Sequence, residues 1–138
     1  MNKALNYLAL ARKGGLAELG EEPVGVAARY GKAYVILVAG DASDHTWRRA
    51  KSFAAGTEQQ CIRLEVTKEE MGFVVGRTSL AIAAITDVQM ALALTRAALP
   101  CEGGTQALEV LTAKAQKAQK RQAEAKAHQR NIRKGKKK

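Results

Sequence analysis

The apolar run Ala33-Tyr34-Val35-Ile36-Leu37-Val38-Ala39, followed at once by Gly40-Asp41-Ala42-Ser43, decides the fold. Seven apolar residues rich in β-branched types predict a strand that is covered on both faces, as in the sheet of an α/β protein. The glycine ends the strand, and either Asp41 or Ser43 is suited to cap a helix that follows. A strand buried on both sides needs helices before and after it in the chain.

The same alternation of helix and strand continues in both directions from this central strand. Upstream, Asn2 can cap a helix that ends at Gly14-Gly15, residues 16–19 suit a short strand, and a second helix has Pro23 in its first turn and stops at Gly31. Downstream, the sequence predicts a helix to Gly56, a strand over 61–66, a short helix with a Thr67/Glu70 capping box that ends near Gly76, a strand over 79–86, and a helix capped by Asp87. This order predicts an α/β fold, a three-layer α/β/α sandwich.

The chain is long enough for one domain with an extension, since domains typically run to about 100 to 150 residues. We expect the domain to cover residues 1–99 and a linker with Pro100 and two glycines to cover 100–104. Residues 105–138 then form a basic extension, rich in helix formers to about Gln129 and ending in a basic tail. With nothing to bury beyond Ala113, this extension is expected to be a solvated helix or disordered until bound.

The net positive charge of the protein lies in this extension. Residues 1–112 carry 12 basic and 12 acidic side chains, whereas residues 113–138 carry 11 basic side chains and one acidic, so the net charge of +10 belongs to the last 26 residues. Such a segment suits an RNA anchor, a membrane-surface anchor or a solvating arm. Because it offers only alanines as an apolar face, RNA is favoured over a membrane. The candidate RNA contacts in it are Lys120, Arg121, Arg130, Arg133 and Lys134.

The chain shows no pattern that is typical of an enzyme or of a metal site. Cys61 and Cys101 are isolated, as expected in a reducing cytosol, and His45 has no aligned partner on its helix. No glycine-rich phosphate loop and no His/Cys cluster occur, so we expect no catalytic residue, no metal, no cofactor and no small-molecule substrate. No apolar run is long enough for a membrane span, and we expect a cytoplasmic protein.

Several short strings, in their order and spacing, resemble the kink-turn RNA-binding superfamily of ribosomal proteins L-seven-Ae and L-thirty-e, and its bacterial YlxQ-like branch in particular. The similarity spans about residues 4–95. The strings are Leu8–Gly15, Gly20-Glu21-Glu22, Gly31-Lys32-Ala33, Gly40–Ser43, Thr67–Gly72, Val75-Gly76-Arg77 and Ile82–Asp87. The resemblance implies a four-stranded mixed sheet between helices and the binding of structured RNA without catalysis.

The resemblance also implies where the RNA would lie. Family members grip RNA with the start of the second helix, which corresponds to Gly20, Glu21 and Glu22, and with the loop before the last strand, which corresponds to Arg77, Thr78 and Ser79. The family pattern at the helix start is Gly-x-Asn-Glu with a later Lys. Here Glu22, Pro23 and Val26 occupy the last three of those positions, so only the glycine matches.

The residues themselves leave two interpretations of Gly20 open. A residue without a β-carbon allows a phosphate or base to approach the backbone at a helix start, and a carboxylate can accept hydrogen bonds from base amino groups. The alternative is a glycine turn followed by two acids that suit the helix dipole. Four basic residues lie at element ends that the fold could gather on one face as phosphate contacts: Arg12, Lys13, Lys32 and Arg77.

Trp47 is spaced with Ala50 and Ala54 on one helix face, which favours core packing over base stacking. Arg48 and Arg49 then lie on the outer face. The leading hypothesis is a non-enzymatic RNA-binding protein related to ribosomal proteins, with structured RNA, ribosomal RNA above all, as its partner and the ribosome or its proteins nearby. The rival is a protein-interaction module on the same fold, in which only the tail touches RNA.

Overall fold

The computed structural model describes residues 2–136, with side chains described through residue 128. The helices are α1 (Lys3–Lys13), α2 (Glu21–Arg29), α3 (Asp44–Ala54), α4 (Lys68–Val74), α5 (Val88–Ala98) and α6 (Gly104–Lys136). The strands are β1 (Ala17–Leu19), β2 (Val35–Ala39), β3 (Gln60–Leu64) and β4 (Ile82–Ile85).

The four strands form one mixed sheet in the order β1-β4-β2-β3. Strand β4 is antiparallel to both β1 and β2, whereas β2 and β3 are parallel. All five residues of β2 and all four of β4 are buried, so the apolar run at Val35–Ala39 is a central strand as predicted. The sheet is mixed because β4 lies between β1 and β2 and runs opposite to both, while β2 and β3 run in the same direction.

Helices cover both faces of the sheet, which confirms the predicted α/β sandwich with a C-terminal helix. Helices α2 and α3 pack against each other and against β1 to β4 on one face. Helices α1, α5 and α6 form the layer on the other face, and α4 packs against α1. The core between these layers consists of aliphatic side chains and many alanines.

Local capping sets where most helices begin. Asn2 and Asp87 accept hydrogen bonds from the backbone N–H groups of Ala4 and Met90, and Thr67 forms the predicted capping box with Glu70. Of the two candidate caps of α3, the structure uses Ser43, whose hydroxyl accepts from the Thr46 N–H.

Asp41, the other candidate cap, instead accepts a hydrogen bond of 2.8 Å from the backbone N–H of Lys68. This bond joins the loop after β2 to the start of α4.

Strand β4 is shorter than the predicted stretch 79–86. The backbone N–H of Leu80 donates to the carbonyl of Lys68, so this part of the chain is tied to α4 rather than to the sheet. The side chain of Leu80 is buried nonetheless, which explains why the apolar pattern of the sequence begins before the strand does.

The hydrophobic core does not end at Leu99, where the sequence predicted the domain boundary. Ala107, Leu111 and Ala115 of α6 are buried, and α6 packs along α5 and β3. The expected linker at 100–104 is also part of the fold, because Glu102 forms a β-bridge with Arg63 on the outer edge of β3. The folded unit therefore extends through the first turns of α6, and the exposed, basic part of that helix begins after Ala118.

Leu111→Ala tests this boundary. Leu111 is fully buried, so we expect the substitution to lower the free energy of unfolding by about 2 to 5 kcal/mol, the usual cost of removing a core leucine side chain. Urea unfolding followed by circular dichroism measures it. Glu109→Ala, at an exposed position on the same helix, is the control and should change little. An unfolding midpoint of Leu111→Ala equal to that of the parent would show that α6 is an independent appendage.

Candidate nucleic-acid interface

The register of the sheet divides the molecule into two ends. Strands β1, β2 and β3 finish, and β4 begins, at what we call the carboxyl end, because Leu19 pairs with Ala83 and Ala39 with Leu64. The same strands begin, and β4 finishes, at the amino end, where Ile85 pairs with both Ala17 and Val35. Every loop of the protein belongs to one of these ends.

The two RNA-binding segments implied by the family resemblance meet at the carboxyl end. Gly20 caps α2 directly after β1, and its N–H donates to the carbonyl of Ile82 at the start of β4. A β-carbon built on Gly20 would lie 3.7 Å from Nη1 of Arg77. We call Gly20, Glu21, Glu22, Arg77, Thr78 and Ser79 the glycine surface.

Gly72 holds the loop of the glycine surface against α4. A β-carbon on Gly72 would come within 2.8 Å of the backbone of Arg77 and Ser79, which no real side chain tolerates. The N–H of Arg77 donates to the carbonyl of Gly72 over 2.8 Å. The side chains of Arg77, Thr78 and Ser79 are exposed on the outside of this turn and are free to contact a ligand.

Gly20 has a structural reason to be glycine. Its φ of 97° and ψ of 161° lie in a region that glycine alone occupies readily. This conformation leaves no need for an RNA contact to explain the residue, and it makes a side chain at position 20 a poor probe of binding. The N–H groups at the start of α2 are nevertheless open for an acceptor, since Gly20 provides no side-chain cap.

The two acids of the glycine surface differ in their surroundings. Glu21 Oε1 lies 2.8 Å from Nε of Arg49 on α3, so an arginine offsets its charge. Arg49 also lies over the Phe53 ring, 5.1 Å from its centroid. Glu22 has no ion-pair partner among the described side chains. The helical pattern predicted that Arg49 faces solvent. In the structure its guanidinium also joins α3 to α2 through Glu21.

Arg12, Lys13 and Lys32 do not join Arg77 on one face, as the sequence had suggested they could. Arg12 and Lys13 finish α1 just before β1, and Lys32 precedes β2, so all three lie at the amino end. Arg77 precedes β4 and lies at the carboxyl end. The reason is topological, because the chain crosses the length of the sheet between these positions.

Helix α6 brings further positive charge to the amino end. It runs antiparallel to α5, and Nε2 of Gln89, at the start of α5, lies 3.5 Å from the carbonyl oxygen of Ala115. A cleft of about 240 Å³ there is lined by Tyr34, Val88 and side chains of α6 that include Lys117 and Arg121. Beyond this point α6 continues past the sheet as an exposed helix.

The amino end is basic and its few acids are engaged. Glu58 Oε2 lies 2.7 Å from Nζ of Lys114, and the hydrogen bond and charge of Lys114 lower the pKa of Glu58. Asp87 accepts from the N–H of Met90. The basic residues of this end are Arg12, Lys13, Arg29, Lys32, Lys114, Lys117, Lys120 and Arg121. Arg29, Lys114 and Lys117 were not among the candidates that the sequence predicted. The position of Arg29 in the last turn of α2 and the connectivity of the loops were the signals available.

The carboxyl end is acidic. Eight of the 13 acidic residues lie in the loops and first helical turns there: Glu21, Glu22, Asp41, Asp44, Glu65, Glu69, Glu70 and Glu102. Lys3, Lys68 and Arg77 also lie at this end, so the charges of residues 1–112 cancel in number and are partly separated in space. The glycine surface therefore belongs to the acidic end, whereas α6 extends the basic one.

Lys120 and Arg121 are exposed on the part of α6 that leaves the domain. The side chains of Arg130, Arg133 and Lys134 lie outside the described ones, although the backbone of α6 is helical through Lys136. The positively charged segment is thus a continuous helix in this structure, which is the first of the two states the sequence left open.

Trp47 belongs to the core, as its helical spacing predicted. Its side chain is buried, with Lys51 and Arg63 over the ring at 5.4 Å and 5.8 Å from the centroid, so no base can stack on it. The large aromatic side chains that are exposed are Tyr30 and Phe73.

Neither cysteine has the environment of a nucleophile. Burial raises the pKa of Cys61 to about 12, and its Sγ lies 3.1 Å from the Ala50 carbonyl oxygen. Burial, with the nearby charge of Glu65, also raises the pKa of Cys101. Within residues 2–128, no three His, Cys, Asp or Glu side chains come together as a metal site requires. No helix in the described part of the chain has both the length and the apolar character to cross a bilayer.

Comparison with known proteins yields a fold and no function. No family model matches the sequence, and no curated protein matches it. A solved protein of unknown function from Bacillus halodurans is similar in fold, with a TM-score of 0.65 and 20% sequence identity, over 70% of this chain and 97% of that chain. Nearly all of that protein is matched, so part of the present chain has no counterpart in it.

Gly20→Ala is expected to lower the free energy of unfolding by about 1 to 3 kcal/mol, because alanine must adopt a backbone conformation reserved for glycine. Gly14→Ala is the matched control. Gly14 has a φ of −83° and only ordinary van der Waals neighbours, so its midpoint should stay within about 1 kcal/mol of the parent in urea. Equal stability of Gly20→Ala and the parent would remove the conformational reason for the glycine.

Proposed function

We propose that this protein is a non-enzymatic, cytoplasmic RNA-binding protein, related to the kink-turn binding ribosomal proteins that its sequence resembles. The observation that carries the proposal is the separation of charge along the sheet. The basic groups of the amino end and those of helix α6 lie at the same end of the sheet and together give that end an excess of positive charge. A polyanion is the ligand that such a surface favours.

The amino end and α6 supply affinity in this proposal. Each lysine or arginine that neutralises a phosphate releases condensed counterions, and no folded pocket is needed for that gain. Apart from the half-buried Lys114, the described basic side chains of the amino end are exposed. Residues 119–138 carry nine further basic residues. These contacts position an RNA without reading its sequence.

The glycine surface supplies recognition. The open N–H groups at the start of α2 suit a phosphate or a base acceptor, Arg77 stands beside them, and the Glu22 carboxylate can accept from base amino groups. The two surfaces are separated by the length of the sheet, roughly 15 to 20 Å for a five-residue strand. The ligand that engages both is a structured RNA, and ribosomal RNA, with the ribosome and its proteins as the setting, is the class we favour.

The rival function is a protein-interaction module on the same fold, in which only the basic tail touches RNA. The observation in its favour is the acidity of the carboxyl end, which repels phosphate and suits a basic protein. The experiments below separate the two functions, because the rival requires no contribution of the glycine surface to RNA affinity.

The amino end is tested by the triple substitution of Arg12, Lys13 and Lys32 by Gln, all three exposed residues. With a structured RNA, the slope of log affinity against log salt concentration should become shallower by about 2 to 3 units if every charge meets a phosphate. Removal of residues 119–138 should make this slope shallower by a larger amount, up to about 6 to 8 units for nine basic residues.

The matched control replaces Lys3, Arg48 and Arg96, three exposed basic residues away from the amino end, by Gln. It removes the same net charge and should leave the slope nearly unchanged. Equal slopes for the two triple variants would mean that net charge, rather than the amino end, attracts the RNA.

Recognition is tested by comparing a kink-turn RNA with a straight duplex of equal length. Arg77→Gln should weaken the kink-turn complex about tenfold, as loss of one charged hydrogen bond does, with little effect on the duplex. Glu22→Asn restores the family residue and should strengthen the kink-turn complex more than the duplex. Filter binding or fluorescence anisotropy measures both.

Arg96→Gln is the control for Arg77→Gln, and it should bind both RNAs as the parent does. If Arg77→Gln binds the kink-turn RNA as tightly as the parent, and Glu22→Asn helps both RNAs equally, the glycine surface is not a recognition site and the protein-interaction function takes precedence.

A further inference from the structure

A groove of about 740 Å³ runs along the outer side of α2, between that helix and the edge strand β1. Its α2 side is formed by Glu22, Val26 and Tyr30, which follow one another at a spacing of four residues and so form one stripe on the helix. Glu18 of β1 lines the groove from the sheet, and Lys32 lies at its amino end. The RNA-binding function uses neither the apolar stripe nor Glu18.

The apolar part of the stripe is exposed to solvent. Tyr30 is 71% exposed and Val26 is 44% exposed, and the other exposed large apolar side chains of the described residues, Leu10 and Phe73, lie elsewhere. Two adjacent apolar side chains on one helix face, beside a concave surface, are characteristic of an interaction site.

Strand β1 has an open edge beside this groove. Thr86 donates to the carbonyl of Leu16 and Gly20 donates to that of Ile82, so residues 16, 18 and 20 direct their backbone groups to β4. Because the pattern of an antiparallel pair alternates, the N–H and carbonyl groups of Ala17 and Leu19 point away from the sheet. Such an edge is a template for one more strand.

The charge of the groove selects what that strand carries. The carboxylates of Glu18 and Glu22 line it together, and neither has an ion-pair partner among the described side chains, whereas the neighbouring Glu21 is held by Arg49. Lys32 is the one basic residue of the lining, so two carboxylates stand against one ammonium group, and this excess of negative charge disfavours a phosphate backbone inside the groove. The two carboxylates favour a lysine or arginine.

We propose that this groove binds an extended segment of a partner protein, which adds to β1 as a fifth strand. A lysine or arginine of the segment lies opposite Glu18 and within reach of Glu22. An apolar residue two positions along the segment is on the same face and packs against Val26 and Tyr30. Main-chain hydrogen bonds to Ala17 and Leu19 supply affinity, and the two side chains supply specificity.

The probe is the blocked peptide acetyl-Thr-Val-Lys-Val-Ile-Thr-amide, in which lysine and isoleucine share one face of an extended chain. The full-length protein, labelled with nitrogen-15, is titrated with it to about 5 mM, since a short unstructured segment is expected to bind with Kd on the order of 1 mM. The amide resonances of Ala17 and Leu19 should move most. The resonances of Thr67 and Glu70, at the distant start of α4, should not move.

Exchanging the charges of the peptide and of Glu18 tests whether the carboxylates of the groove bind the lysine. A peptide with glutamate in place of lysine should bind the parent about two- to fivefold more weakly, the size expected of an exposed ion pair. Glu18→Lys should reverse this preference, and the control Glu109→Lys, an equal charge change on the exposed face of α6, should keep it.

Three outcomes would overturn the proposal: no shift of Ala17 and Leu19 at 5 mM peptide, shifts centred elsewhere, or a preference that Glu18→Lys leaves unchanged. Val26→Ser is the second variant, which should weaken both peptides without reversing the order. The groove shares Glu22 and Lys32 with the proposed RNA contacts. These outcomes are read from peptide binding alone, so failure of this proposal is distinguishable from failure of the RNA-binding function.

Discussion

The insertion of β4, antiparallel, between β1 and β2 is the constraint on which the arrangement of charge depends. Because β1, β2 and β3 run in one direction and β4 in the other, the loops that follow β1, β2 and β3 converge at one end. The loops that precede those strands converge at the other end. Acidic residues follow the three strands, and basic residues precede two of them, so a chain whose first 112 residues are neutral folds into an electrically polar domain.

The packing of α6 converts this polarity into a candidate RNA surface. Leu111 and two buried alanines hold the first turns of α6 against α5 and β3, which fixes the direction in which the helix leaves the domain. It leaves at the basic end. Had α6 been tethered by a flexible linker, its charges would have had no defined relation to Arg12, Lys13 and Lys32, and electrostatic attraction could not favour one end of the sheet.

Local features were predictable from the sequence because they depend on near neighbours. The capping residues Asn2, Thr67 and Asp87, the central strand at Val35–Ala39 and the buried Trp47 all follow from spacing of a few residues. The assignment of loops to ends was not predictable in this way, since it depends on the pairing of β4 with β1 over more than 60 residues.

The same limit applied to α6 and to Gly20. The stripe of α6 that is buried contains one leucine among alanines, which resembles a solvated helix until α5 is placed beside it. The positive φ of Gly20 is set by the turn from β1 into α2. The residue types around position 20 do not specify that turn by themselves.

Ultraviolet crosslinking of the protein to RNA in living cells, with the crosslinked peptides identified by mass spectrometry and the attached RNA sequenced, tests the central claim most directly. The account predicts crosslinks both at the amino end, near Tyr34 and Arg121, and at the glycine surface, on one structured RNA site. Crosslinks confined to the carboxyl end, or scattered over many RNAs and found only beyond Ala118, would contradict it.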